Sequence, residues 1–184
     1  MLFTGKGDGG TTSLFGCKQR ISKSSAVTEA LGNMDEINSF LGVCKVVADK
    51  AFFRLPNRAP VAGLIDEIQQ NLFIVQAELA GSAMAITEDK VKKVEEIIGS
   101  IEAVLPPIHS FFVSGGTEVA ALFDFARTIA RRAERRVVAA VESGDCEINT
   151  QTRAYLNRLS SILYALARWA NHQAGINEEK PTYN

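Results

Sequence analysis

The run Thr4-Gly5-Lys6-Gly7-Asp8-Gly9-Gly10-Thr11-Thr12-Ser13 holds the ingredients of a phosphate-binding backbone. Glycines let the chain turn several N–H groups onto one anion, hydroxyls add donors, and a lysine supplies charge. It is not a Walker A loop, because no Gly-Lys-Ser/Thr closes it and no strand pattern precedes it. On composition alone, a solvated polar segment accounts for the run at least as well.

A second group lies near the middle of the chain. At helical spacing Arg127, Arg131, Glu134, Arg135 and Val138 share one side, with Arg132 and Arg136 beside them. Like charges four residues apart repel on a helix surface, so such a face calls for an anion. Guanidinium forks bind phosphates and carboxylates through paired hydrogen bonds. The plain alternative is a solvated face with Glu134 as counter-ion. Further on, Asn157, Ser161, Tyr164 and Arg168 form a polar face that would wall a cleft if it turned toward the arginines. Asp35, Glu36 and Asn38 are open to either reading.

Other chemistries lack their residues. His109 and His172 stand far apart, with no Cys or carboxylate at ligand spacing, so no protein-bound metal is expected. Neither GxSxG nor HExxH occurs, and no GxGxxG follows a strand pattern. Catalysis would have to come from positioning and electrostatics, with the difficult chemistry brought by a cofactor.

Helices must position these groups. Ala30, Met34, Ile37, Leu41, Cys44 and Ala48 make one apolar stripe, and Ile65, Ile68, Leu72, Val75 and Leu79 a second. Val91, Val94, Ile98, Ile101 and Leu105 make a shorter third, stopped by Pro106-Pro107. The arginine helix is expected from about Thr117 to Glu142, and the last from about Thr150 to Gln173. A linker, Ile108 to Gly116, carries Phe111 and Phe112 and ends in Gly-Gly. Five amphipathic helices with short connections describe an all-α bundle, with negligible strand signal.

The chain has 184 residues and a formal net charge of −1, enough for one domain and too neutral for a general nucleic-acid binder. We expect a single domain over 1–184, divided into a loop (1–23), the bundle (24–174) and a polar tail (175–184). Cys17, Cys44 and Cys146 are widely spaced, which favours a reducing compartment over a disulfide framework. No secretory pattern opens the sequence, and no apolar run reaches membrane-spanning length. A soluble, cytoplasmic protein is expected.

Four stretches together are specific. Thr4 to Gly16 with Lys23, then Glu29 to Asn38, resemble the opening of trimeric ATP:cob(I)alamin adenosyltransferases of the propanediol-utilisation type. Phe111-Phe-Val-Ser-Gly-Gly116, followed by Ala126 to Val138, resembles the centre of that family. Tyr155 to Ser160, with Leu166 to Asn171, resembles its last helix. The resemblance runs through nearly the whole chain in order.

It implies a homotrimer of five-helix bundles with active sites between subunits. Such proteins bind ATP with Mg²⁺, receive cob(II)alamin, and after its reduction move the 5′-deoxyadenosyl group to cobalt, releasing triphosphate. Thr4, Gly5, Lys6, Gly7, Thr12, Ser13 and Lys23 would hold ATP from one subunit. Arg131, Glu134, Arg135 and Asn157 would complete the site from its neighbour. Asp35 would pair with Arg131 across the interface, and Phe111 would displace the lower ligand of cobalt. A flavoprotein-type reductase and an adenosylcobalamin-dependent acceptor enzyme would be partners.

This sequence departs from that pattern at Ser114 and Cys17, both in loops, where Pro and Gly are common. It departs more seriously at Ser161, where relatives commonly carry Asp. Loss of that carboxylate puts one arginine contact in question. It also keeps open a second reading, an ATP- and corrinoid-binding bundle of the same fold that holds or delivers cobalamin with weak or no transferase activity.

Overall fold

A computed structural model describes residues 3–14 and 19–183. The segment expected to be an irregular loop contains two short strands, β1 (Thr11–Ser13) and β2 (Arg20–Ser22), paired antiparallel with Thr12 opposite Ile21. This corrects the expectation of negligible strand structure. Three-residue strands are too short for a period of two to stand out, so their partners alone make them visible. Phe15, Gly16, Cys17 and Lys18 fall outside the described residues, and the departure at Cys17 with them.

Five helices follow: α1 (Ala26–Lys50), α2 (Val61–Leu79), α3 (Glu88–Glu102), α4 (Glu118–Glu142) and α5 (Thr150–Gln173). Polar caps set three of the starts. Ser25, Thr117 and Asn149 accept hydrogen bonds from the backbone N–H groups of Thr28, Ala120 and Thr152. Gly144 and Gly175, both at positive φ, follow the ends of α4 and α5.

The bundle is ordered α2–α1–α4–α5–α3, each helix packing on the next. The central α4 turns Ala120, Ala126, Ala130, Ala133 and Ala140 inward. Small side chains let it lie close to α1 and α5 at once. The expected stripes of α1 and α2 are buried throughout, and so are Tyr155, Leu159, Ile162, Leu166 and Trp169 of α5. On α3, Ile98 is only partly covered.

No helix among the described residues is long and apolar enough to cross a membrane.

Candidate functional site

Beside α4 and α5 lies a cleft of about 520 Å³, roofed by the linker that precedes α4. Arg127 and Arg131 of α4 line it, with Ser161, Tyr164 and Arg168 of α5 opposite and Phe111 and Phe112 above. The polar face of α5 does turn toward the arginines, as a cleft wall requires. Asn157 is the exception, exposed on α5 and outside the lining.

The arginines of α4 divide by direction. Arg132 donates to Asn33 Oδ1 at 3.1 Å and pairs with Glu36, and Arg136 lies 3.7 Å from Glu29, all on α1. Arg131 and Arg135 are exposed and form no ion pair among the described residues. Glu134 is half-buried and likewise unpaired among them, so it is not their counter-ion. Asp35, exposed on α1, makes no ion pair with Arg131 within the chain.

Arg127 belongs to the cleft wall. Its guanidinium lies 5.6 Å from the centre of the Tyr164 ring, and its Nε is 3.9 Å from Asp124 Oδ1. Asp124 was not legible as a site residue. It is buried at the foot of the cleft and accepts a hydrogen bond from Gly115 N at 3.3 Å. Burial raises its carboxyl pKa, partly opposed by that N–H and by Arg127. Ser161 is exposed, and the carboxylate beside Arg127 is that of Asp124 on α4. Its position three residues before Arg127 was the available signal.

The linker separates its two phenylalanines. Phe111 is 80% exposed, whereas the Phe112 ring packs 5.2 Å from the Arg168 guanidinium. Successive side chains of an extended segment point to opposite sides, so anchoring one ring presents the other. At the far end Asn171 donates to the Gly115 carbonyl at 2.9 Å and accepts Thr117 N–H at 3.0 Å.

The glycine-rich loop is held by its own hydrogen bonds. Gly5 and Gly10 sit at φ +68° and +75°, conformations that favour glycine. Arg20, which no sequence pattern singled out, donates to the carbonyls of Lys6 at 2.7 Å and Thr11 at 2.6 Å. The Lys23 ammonium lies against Gly7, where a Cβ would come within 3.0 Å of Nζ. Thr4, Gly5, Lys6 and Ser13 are exposed, and Gly7 and Thr12 half-buried. Lys23 and Gly7 are thus brought together. No hydrogen bond or ion pair among the described residues ties this loop to Arg131, Glu134, Arg135 or Asn157 of the same chain.

Fold and cleft define an all-helical bundle that offers free guanidinium groups, a lysine-bearing glycine loop and an exposed aromatic ring. Such a set suits an anionic ligand with an apolar companion. The sequence profile of the cobalamin adenosyltransferase family matches residues 2–170, and the chain belongs to that family. It is 38% identical to corrinoid adenosyltransferase PduO of Salmonella typhimurium over 97% of this chain, but 53% of that protein. The chain therefore spans about half the length of this relative. With the corrinoid adenosyltransferase of Bacillus subtilis it shares 38% identity, covering 96% of this chain and 90% of that one. Among solved structures, a variant PduO-type ATP:corrinoid adenosyltransferase from Lactobacillus reuteri, complexed with cobalamin and ATP, superposes with a TM-score of 0.87. The two are 29% identical and covered to 100% and 97%.

Proposed function

We propose that this protein transfers the 5′-deoxyadenosyl group of ATP to the cobalt of reduced cobalamin. The new bond joins cobalt to C5′, the C5′–O bond breaks, and triphosphate leaves with its electron pair. One observation carries this reading. Arg131 and Arg135 stand exposed without an ion pair among the described residues, while Arg132 and Arg136 are taken up by α1. Two free guanidinium groups one turn apart repel, and a triphosphate would relieve that repulsion.

In this reading Thr4, Gly5, Lys6, Gly7, Thr12, Ser13 and Lys23 bind ATP from one subunit. Arg131, Glu134, Arg135 and Asn157 close the site from its neighbour in a homotrimer. The lack of any tie between loop and arginines among the described residues supports a divided site, as does the exposure of Asn157 away from its own cleft. Asp35 meets Arg131 across the interface, orienting it. Magnesium accompanies the triphosphate as its counter-ion.

Phe111 faces the corrin and displaces the lower ligand of cobalt. A reductase of flavoprotein type supplies the electron, and an adenosylcobalamin-dependent enzyme takes the product, both in the cytoplasm. The residues themselves supply alignment for in-line displacement and cationic stabilisation of the leaving group, with no general base.

The test is incubation with ATP, Mg²⁺ and chemically reduced cobalamin, followed by the absorption spectrum. The spectrum of adenosylcobalamin is expected. An unchanged cobalamin spectrum in the presence of folded protein overturns the proposal.

A further inference from the structure

The tail after α5, outside the family match at residues 2–170, does more than trail into solvent. Beyond Gly175 the chain folds back over the linker, where Val113 N–H donates to the Glu179 carbonyl at 2.8 Å. The Glu178 carboxylate accepts Arg168 Nε at 2.7 Å on one oxygen and Nη2 at 2.7 Å on the other. The same Nη2 donates to the Pro106 carbonyl at 3.0 Å, and the guanidinium packs against the Phe112 ring. One side chain from α5, only 5% exposed, thereby joins the tail to both ends of the Phe-Phe segment.

Little else fixes that segment. From Pro106 to Phe112, the bond from Arg168 is the one hydrogen bond made among the described residues. Phe111 is thrust outward at 80% exposure, a position an untethered apolar ring would leave for nearby apolar surface. Its orientation needs an anchor at the neighbouring residue, and Phe112 on Arg168 provides it. Arg168 in turn needs Glu178, because a buried guanidinium without its carboxylate is an uncompensated charge.

We propose that Arg168 and Glu178 are positioning residues: the tail carboxylate locks the guanidinium, and the guanidinium holds the linker so that Phe111 stays turned outward at the rim of the cleft. This inference rests on the reading of Phe111 as the residue that faces the corrin. Both side chains border the cleft, and their effect on cobalamin passes through Phe111.

The experiment compares Glu178→Gln, Phe111→Ala and the double variant. Each is loaded with ATP, Mg²⁺ and cob(II)alamin, and the fraction of four-coordinate cob(II)alamin is read by absorption and electron paramagnetic resonance. ATP affinity and alkylation of pre-formed cob(I)alamin are measured beside it. Glu178→Gln is expected to reduce the four-coordinate fraction roughly 10- to 100-fold, the scale of one hydrogen bond to a charged group. ATP affinity and cob(I)alamin alkylation should stay near those of the unaltered protein. In the Phe111→Ala background, Glu178→Gln should have no further effect on that signal, since residues acting as one unit are non-additive.

Arg168→Lys, which keeps the charge and loses the fork, should reproduce the selective loss and serves if Glu178→Gln folds poorly. Full additivity overturns the proposal, and so does a parallel fall of ATP affinity and both activities. An unchanged four-coordinate signal in Phe111→Ala instead removes the role of Phe111, which separates failure of the underlying reading from failure of this one.

Discussion

A Cβ added to Gly116 would lie 2.3 Å from Oδ1 of Asn171, closer than any side chain tolerates. Gly116 sits at φ +97°, and Asn171 uses both ends of its amide to hold the residues on either side. This latch sets the angle at which the linker enters α4. Gly116→Ala should therefore destabilise the fold by roughly 2–3 kcal/mol, combining left-handed strain with a lost hydrogen bond. Thermal or urea denaturation measures it, and an unchanged midpoint would show that the linker rearranges freely.

Arg131→Ala and Arg135→Ala test the arginines that form no ion pair among the described residues. Both side chains are exposed, and the buried residues Ala126, Ala130, Ala133 and Val137 are untouched. Stability should change by less than about 0.5 kcal/mol. Turnover should fall roughly 10- to 100-fold or more, as for a lost hydrogen bond to a charged group. A wild-type rate of adenosylation would reduce these arginines to surface charge.

Phe111→Ala should leave the melting temperature close to that of the unaltered protein, because little of the ring is buried within the chain. A ring serving the core would cost about 3–5 kcal/mol on truncation. Reduction of cob(II)alamin should suffer far more than alkylation of cob(I)alamin supplied ready-made. Equal loss of both activities, with a large fall in stability, would return Phe111 to a structural role.

The trimer is testable without ligand. Sedimentation equilibrium at micromolar concentration should give a mass near three times the chain mass of 20.0 kDa. A monomer with and without ATP would remove the divided site.

Tyr155 gives a pH dependence of known sign. Burial pushes its phenol from 10.0 up to about 12, against the opposing hydrogen bond from Asn71. An acid whose folded value is raised leaves stability intact below the unfolded value. Stability then falls as pH climbs from there through about 12, by roughly 3 kcal/mol in all. Tyr155→Phe should be less stable at neutral pH by about 1 kcal/mol, for the lost hydrogen bond, and should escape this alkaline decline. Urea titrations near neutrality and at about pH 12 compare the two proteins, and parallel declines would refute the assignment.

The sequence by itself determined the helices and the sides they bury. A repeat of three and four residues is set by the helix geometry, so Ala30 through Ala48 and Ile65 through Leu79 could be named as core before any partner was known. The sequence also put Phe111 and Phe112 on opposite sides of an extended linker and gathered the arginines on one helix. Phe112 is the ring that packs on Arg168, a residue of α5 distant in sequence, and Phe111 is the one left exposed.

Which arginines stay free was decided by where α1 lies against α4. Adjacent residues on a helix point about 100° apart, so Arg132 reaches Glu36 while Arg131 misses it. No local pattern marks Glu178 as the partner of Arg168, since the turn after Gly175 first brings the tail back across the bundle. Periodicity is local and can be read along the chain. Pairing of charges depends on which surfaces meet, and only the folded arrangement of α1, α4, α5 and the tail brings those surfaces together.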